Sequence, residues 1–231
     1  MYKKTQYVLS GDKPTLVEIR DYGKPDFPVL IAIQQESFPP PFPPELWWNP
    51  EQLTNHVELY PEGALCTEVE GEMVGSITAL LSDFNPAQPE HTWQDGTDNG
   101  SIRNHNPAGK TLYIVDICIR PKYRSLKLGQ LLMQAMYERV VQDDLERLLG
   151  GGRMPGFHEF SDRLTAEQYA AQVVAGEIKD PVISFLLRCD RMPICVVVNY
   201  LTDEESEGYA LLMEWKNPFR HHQQPPNRPN V

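Results

Sequence analysis

Four basic side chains lie close together in the segment RPKYRSLK, residues 120–127. The sequence carries a formal net charge of −11 at pH 7, so a local run without an acidic residue calls for an explanation. The run follows β-branched residues and precedes a stretch of helical periodicity, and the first amides of a helix bind phosphate. The cations at Arg120, Lys122, Arg124 and Lys127 therefore favour a ligand with several phosphate groups. A solvated turn is the alternative.

A second candidate for chemistry is Asp116, an acid inside the apolar run TLYIVDICIR, residues 111–120. An unpaired carboxylate in an apolar strand costs on the order of a few kcal/mol. Either it is paired or bonded to backbone amides, or it acts in catalysis or acceptor binding. Because neighbours along a strand alternate, we expect its side chain on the opposite face from Tyr113 and Val115.

Length and composition are those of a globular protein with one large core. The chain has 231 residues, of which 41% are hydrophobic. We expect one domain over residues 1–220 and a disordered tail at 221–231. The polar segment at about 83–110 is too long for a passive connection, so it is a lid, a binding loop or a disordered insertion.

The acidic balance argues against nucleic acid or an anionic membrane surface as the main partner. No apolar run reaches the roughly 18 residues of a membrane span. The start, MYKKTQYVLSGD, lacks the apolar segment of a signal peptide. We therefore expect a soluble, cytoplasmic protein.

The four cysteines form neither CxxC pairs nor a pattern with histidine that would bind a metal. They are Cys66, Cys118, Cys189 and Cys195. We predict reduced thiols within apolar segments, and no metal site.

Upstream of the basic segment the pattern is mixed. FPVLIAIQQESF predicts a helix, and a second helix is predicted from Asn49, its cap, to about Tyr60. Between them, FPPPFPPELWW is either a stiff loop that packs its aromatic residues or a polyproline ligand for another domain. Residues 64–83 predict a hairpin that turns around Gly71.

The basic segment joins a strand to a helix. TLYIVDICIR predicts a central strand, SLKLGQLLMQAMYERVVQ a helix, and LERLLGGGR a strand, which together make a β-α-β unit with parallel strands. TAEQYAAQVVAGE predicts a helix capped by Thr165. PVISFLLRC, MPICVVVNYL and GYALLMEWKNP predict the closing strands.

The run VDICIRPKYRSLKLGQLLM resembles the acetyl-coenzyme A motif of the GNAT acetyltransferases, in which a strand, a proline, an aromatic residue and RGxGxG or QxxGxG open a long helix. The residues that match in register are Pro121, Tyr123, Arg124, Leu128, Gly129 and Leu132. The order of elements matches from about Pro14 to Pro218. The resemblance implies an α/β (α+β) fold: a mixed, mostly antiparallel sheet with a central splayed parallel pair and helices on both faces.

The resemblance also implies a site for acetyl-CoA. The amides of Ile117, Cys118 and Ile119 would hold the pantetheine arm and polarise the thioester oxygen. The phosphates would bind at Arg124, Ser125, Leu126, Lys127, Leu128, Gly129 and Gln130. Ser125 and Lys127 stand where the family has glycine. If the Lys127 side chain turns outward, the loop closes and its ammonium meets the phosphates; otherwise coenzyme A binding weakens.

Catalytic roles follow from the same resemblance. The family's general base maps onto Tyr113 or Val115, neither of which is a carboxylate, and Asp116 is the nearest acid. The acid that reprotonates the leaving thiolate maps onto Tyr169, for which core packing is the alternative. We therefore name Asp116 and Tyr169 as candidate catalytic residues.

The segment GGGRMPG, residues 150–156, is predicted to end a strand where the parallel pair separates. Just beyond it, Arg153, His158 and Glu159 could face an acceptor. This segment and NYLTDEESEGYALLMEWKNP also resemble the GNAT domains that occur with nitrilase-type carbon-nitrogen hydrolases.

Two functions are consistent with these features. The first is an N-acetyltransferase that moves an acetyl or acyl group from acetyl-CoA to a small-molecule amine by direct attack. The second is a non-catalytic acyl-CoA sensor or partner-binding module. Neither involves nucleic acid or a membrane, and both are compatible with a homodimer.

Overall fold

An eight-stranded sheet is the centre of the computed structural model, which describes residues 2–220. The tail at 221–231, predicted to be disordered, lies outside the described residues. The spatial order is β1-β2-β3-β4-β5-β6-β8-β7. The strands are β1 (Lys3–Ser10), β2 (Lys13–Asp21), β3 (Ala64–Val69), β4 (Glu72–Ser82), β5 (Thr111–Ile119), β6 (Arg147–Arg153), β7 (Met192–Val197) and β8 (Ala210–Lys216). Only β5 and β6 pair in parallel among these strands, which confirms the predicted mixed, mostly antiparallel sheet.

Six α-helices are found in the described part of the chain. They are α1 (Phe27–Ser37), α2 (Pro50–Leu59), α3 (Trp93–Thr97), α4 (Leu128–Gln142), α5 (Ala166–Ala175) and α6 (Ile183–Leu187). The cap predicted at Asn49 is present, and its side chain accepts a hydrogen bond from the Gln52 amide. Thr165 caps α5 in the same way. None of the helices in residues 2–220 is long and apolar enough to cross a membrane.

Two elements differ from the sequence expectation. PVISFLLRC contains helix α6 instead of a strand, because the Asp180 carboxylate accepts hydrogen bonds from the amides of Val182 and Ile183, each at 2.8 Å, and so caps a helical turn. KKTQYVLS near the start forms β1, which was not predicted. Short apolar runs do not distinguish a strand from a buried helix by periodicity alone.

The two segments without predicted secondary structure are packed against the core. In the proline-rich segment 38–48, Phe42 and Trp48 are buried, as the loop interpretation requires. The insertion at 83–110 contains α3, and it buries Trp93 and Ile102. The insertion is therefore ordered, and it covers one end of the sheet's central strands.

The parallel pair is short. It comprises Thr111–Tyr113 with Arg147–Leu149, and after these residues β5 continues to pair only with β4 and β6 only with β8. A gap therefore opens in the sheet between 114–119 and 150–153. We call it the splay.

A bulge in β5 changes which residues share a face. Tyr113 lies opposite Leu80 and Asp116 lies opposite Thr78, so Val115 is an extra residue without a partner on β4. Because Leu80 and Thr78 share a face, Tyr113 and Asp116 share it too. The expectation that Asp116 would lie on the opposite face from Tyr113 is therefore wrong.

Helices cover both faces of this strand. Gln34 of α1 is close enough to Asp116 to affect its carboxyl group. Gly129 of α4 lies against Ile119, which points to the other face. The acid therefore faces α1, and the helix start that was predicted to bind phosphate lies on the opposite side.

Glycine is required at 151 and 152 for packing. A Cβ at Gly151 would lie 2.3 Å from the Tyr200 ring, and one at Gly152 would lie 2.6 Å from Leu186. Tyr200 cannot easily move, because its hydroxyl accepts a hydrogen bond from the Gly151 amide at 3.2 Å and lies 2.8 Å from the Tyr113 hydroxyl.

We predict that Gly151→Ala lowers the free energy of unfolding by about 1–3 kcal/mol, because it overpacks the strand against a fixed ring. Urea denaturation measures the change. Gly23→Ala is the matched control, since its Cβ would meet nothing closer than 3.7 Å. An equal effect of the two substitutions would contradict this account of β6.

Candidate active site

A cavity of about 710 Å³ runs through the splay. One end of the cavity lies at the start of α4 and the end of α6. Its middle lies between residues 114–119 and 150–153, and its other end lies beneath the proline-rich segment and α3. We call it the central cavity. The predicted site residues that line it are Asp116, Ile117, Cys118, Ile119, Arg124, Lys127, Gly129 and Gln130.

Four predicted site residues do not line the cavity. Ser125 is exposed, Leu126 packs against the core and Leu128 is fully buried. Tyr169 is also fully buried, and its hydroxyl donates a 2.8 Å hydrogen bond to Asp180. The alternative of core packing for Tyr169 agrees with this position.

Lys127 has a backbone conformation that glycine adopts more readily than other residues. Its φ is 59° and its ψ 24°, in the left-handed region, where it directly precedes α4. This conformation costs a residue with a Cβ roughly 1–2 kcal/mol. The turn therefore has the backbone of a glycine turn, and Lys127 lines the cavity.

The first turn of α4 is fixed from the other side by α6. Gln130 Nε2 donates to the Arg188 carbonyl at 3.2 Å, and a Cβ at Gly129 would come within 3.0 Å of Phe185. Among the first amides of α4, that of Gln130 donates to the Lys127 carbonyl at 3.0 Å, whereas those of Leu128 and Gly129 have no acceptor within the helix. They form, with Lys127, a surface suited to an anion.

Not all four cations of the basic segment reach the cavity. Arg120 pairs with Glu36 at 2.8 Å, and Lys122 lies over the Tyr123 ring outside the cavity. Arg124 lines the cavity but donates to the carbonyls of Ile119 and Ser37, at 3.2 and 3.1 Å.

Arg188 at the end of α6 adds a cation that the sequence analysis missed. It was missed because its segment was interpreted as a strand, whereas the helix that forms there packs against the start of α4.

In the splay, β5 presents alternate backbone groups to the cavity. The Ile119 carbonyl faces the splay, where it accepts from Arg124, whereas the Arg120 amide donates to Val74 of β4 at 2.8 Å. Since backbone groups alternate along a strand, the amides of Ile117 and Ile119 point into the splay. The Cys118 amide points toward β4.

Asp116 is partly buried on the cavity wall. Burial raises its pKa to about 7, and the Cys118 thiol, the Ile117 amide, Arg153 and Gln34 offset part of this increase. A carboxyl group with this pKa is partly ionised at neutral pH. It can therefore accept a proton from a reacting group.

The end of the cavity beneath the proline-rich segment combines aromatic side chains with an arginine that two carboxylates hold in place. Arg153 lies 4.8 Å from the centre of the Phe42 ring. It donates two hydrogen bonds to Asp203, at 2.6 and 2.8 Å, and one to Glu205 at 3.1 Å. Of the three residues predicted to face an acceptor, Arg153 lines the cavity, whereas His158 and Glu159 are exposed outside it.

Tyr200 is a further phenol at the splay that sequence reasoning missed. Its hydroxyl is linked to Tyr113, whose hydroxyl in turn lies 2.7 Å from His91 Nε2. Burial raises the pKa of Tyr200, so it is a hydrogen-bond donor at neutral pH. Its position far along the chain gave no sequence signal.

The cysteines are unbridged. Cys66, Cys118 and Cys189 are buried and Cys195 is partly buried. Within residues 2–220 there is no group of three or more histidine, cysteine, aspartate or glutamate side chains that could hold a metal ion.

Residues 27–154 match a family model described as the acetyltransferase (GNAT) family. A Bacillus subtilis (strain 168) protein named uncharacterized N-acetyltransferase YkwB is 52% identical over 216 residues, which are 94% of this chain and 96% of that protein. Probable hydrolase YhcX of the same organism is 39% identical over 200 residues, 86% of this chain but 38% of its own length. The predicted link to a nitrilase-associated subfamily stays a prediction.

Two solved structures share the fold. The loading GNATL domain of CurA from Lyngbya majuscula superposes with a TM-score of 0.74 at 18% identity, over 87% of this chain and 98% of that one. The GphF GNAT-like decarboxylase in complex with isobutyryl-CoA has a TM-score of 0.72 at 19% identity, over 86% and 98%. At such identities the likeness concerns the fold alone. The family model and the 52% identical relative show that this chain belongs to the GNAT family and is an acetyltransferase.

Proposed function

We propose that the protein transfers an acetyl or acyl group from acetyl-CoA to a small-molecule amine by direct attack. The observation that carries this proposal is the position of Asp116, a carboxyl group with a pKa of about 7, on the wall of the central cavity beside the amides of β5 that face the splay. The same cavity reaches the cationic start of α4.

The donor's phosphates would bind where α4 begins. Lys127 and Arg188 supply charge, and the first amides of α4 supply hydrogen bonds. The pantetheine arm would lie along the splay, parallel to β5. There the Ile117 and Ile119 amides would donate to the ligand the hydrogen bonds that they would donate to β6 in a closed sheet.

The acceptor would enter from the end lined by Phe38, Phe42, Leu46 and Trp93. These side chains suit an apolar body. At this end Asp203 and Glu205 together outweigh the charge of Arg153, which they bind, and Asp116 lies next to it in the middle of the cavity, so the net negative charge favours a cationic amine. An amine bound there meets Asp116 before it reaches the thioester.

In the reaction, Asp116 accepts the proton that the amine loses, and the amine nitrogen bonds to the thioester carbon. The Ile117 amide donates to the oxygen on which negative charge develops. The carbon–sulfur bond then breaks, and Tyr200 is the phenol placed to donate to the leaving thiolate. Burial raises the pKa of the Cys118 thiol well above its ordinary value, which favours direct attack over an acylated cysteine.

Release of free thiol from acetyl-CoA in the presence of a panel of amines tests the proposal. If the protein binds acetyl-CoA but releases no thiol with any amine, the donor site exists and the proposed reaction is wrong. The sensor alternative is not carried forward, because the chain is an acetyltransferase. A cytoplasmic location and a homodimer stay predictions.

We predict that Asp116→Asn lowers kcat/KM by about 100-fold, because it removes the proton acceptor. In the wild type, kcat/KM rises with pH and levels off above about 7, and the variant loses this inflection. A pH series of thiol-release rates measures both. Asp162→Asn, on an exposed carboxylate, is the control. Unchanged rate and pH profile would make Asp116 structural.

The same substitution should stabilise the fold at high pH. The folded-state pKa of Asp116 is raised from 3.8 to about 7, so the folded state binds its proton more tightly than the unfolded state. Its contribution to stability is therefore complete below pH 3.8 and is lost as pH rises to about 7. Chemical denaturation at pH 5 and 8 should show Asp116→Asn gaining stability relative to the wild type at the higher pH. An equal difference at both pH values would contradict the shift.

We predict that Lys127→Gly stabilises the protein by about 1 kcal/mol, since glycine adopts φ of 59° without strain. The same change should weaken coenzyme A roughly tenfold and leave pantetheine, which lacks the phosphates, unchanged. Calorimetry measures the affinity for both ligands. Lys122→Ala removes a lysine charge outside the cavity and should leave the affinity for coenzyme A unchanged. Undiminished affinity in Lys127→Gly would mean that the ammonium faces away from the phosphates.

A further inference from the structure

Arg191 is a charged side chain for which the proposed mechanism has no role. It directly precedes β7 and is the largest fully buried side chain in residues 2–220, with 2% of its surface exposed. It also lines the central cavity. A buried charge at a substrate cavity calls for a partner.

The hydrogen bonds of Arg191 leave its charge without an anion. Nη2 donates to the carbonyls of Met213 and, at 3.3 Å, Gly150. Nη1 lies 3.9 Å from the Met133 sulfur, and Nε is buried with no hydrogen-bond partner. Within residues 2–220 no carboxylate forms an ion pair with this guanidinium.

The surrounding ionisable groups do not supply that anion. They are Tyr137, Cys189, Tyr200 and Tyr113, and burial raises the pKa of each. All four are therefore neutral at pH 7. Burial lowers the pKa of Arg191 only to about 10, so the guanidinium stays charged.

The location of Arg191 relates it to the acyl group. Arg191 contacts the carbonyl of Gly150. Pairing between β5 and β6 ends at Leu149, so Gly150 is the first unpaired residue on the β5 side of β6, and the guanidinium lies at the closed end of the splay. The Met133 side chain of α4 bounds the same place. An acyl chain extended from a thioester held by the Ile117 amide toward this end would bring its terminal group to Arg191.

We propose that Arg191 binds the terminal carboxylate of a dicarboxylic acyl group, so that the preferred donor is a thioester of the malonyl or succinyl type. This inference rests on the proposed function, because it assumes that acyl-CoA lies in the splay. The carboxylate supplies the missing negative charge and accepts from Nη1, which in the described residues contacts only the Met133 sulfur. Neutral acyl groups of equal length leave the charge unmatched.

Calorimetry with paired ligands tests this inference without any turnover. Wild-type protein should bind succinyl-CoA at least roughly tenfold more tightly than butyryl-CoA, which has the same four-carbon chain without the carboxylate. Thermal unfolding should show the larger shift with succinyl-CoA. Equal affinities would overturn the inference.

Arg191→Met replaces the guanidinium with a neutral side chain that fills similar space. It should abolish the preference for succinyl-CoA and leave the affinity for free coenzyme A unchanged. Arg188→Met is the matched control, because it removes an arginine at the phosphate end and should weaken all three ligands by the same factor. A preference that survives in Arg191→Met would also overturn the inference, and if that variant does not fold, the wild-type comparison decides.

Failure of this inference is distinguishable from failure of the proposed function. If coenzyme A and acetyl-CoA bind but succinyl-CoA binds no better than butyryl-CoA, only the role of Arg191 is wrong. If none of the four ligands binds, the donor site itself is wrong, and this inference falls with it.

Discussion

Pairing between β5 and β6 ends after three residues, and the candidate site depends on that ending. On one side the bulge at Val115 bends β5 while keeping it on β4; on the other, the side chains packed against Gly151 and Gly152 hold β6 on β8. Neither strand can return to the other without breaking these contacts. The amides of Ile117 and Ile119 therefore face the splay without a partner on β6, and the acid that follows the bulge is turned to the face of Tyr113.

The splay also explains why two costly charges are found in the core. Asp116 is kept partly neutral by burial, and Arg191 stays charged without an anion, so both lower stability in the free protein. A chain selected for stability alone would replace them with apolar residues. Their presence on the walls of one cavity is consistent with ligands that complete both sites, an amine at one end and an acyl carboxylate at the other.

The sequence predicted the features that depend on local pattern. Periodicity and residue types at fixed spacing predicted helix α4, the parallel pair, and the caps at Asn49 and Thr165. The bulge at Val115 was not, because its residue type fits a regular strand equally well. Arg188 and Tyr200 were missed for a different reason: their segments reach the cavity only through the tertiary fold, which periodicity does not encode.

The central claim is that acyl-CoA binds within the splay, and a crystal structure with acetyl-CoA bound tests it most directly. The account predicts the diphosphate at the start of α4 beside Lys127. It also predicts the thioester between β5 and β6, with its oxygen at the Ile117 amide and its carbonyl carbon near Asp116. Coenzyme A bound elsewhere, or β5 and β6 paired beyond Tyr113 and Leu149 in that crystal, would contradict it.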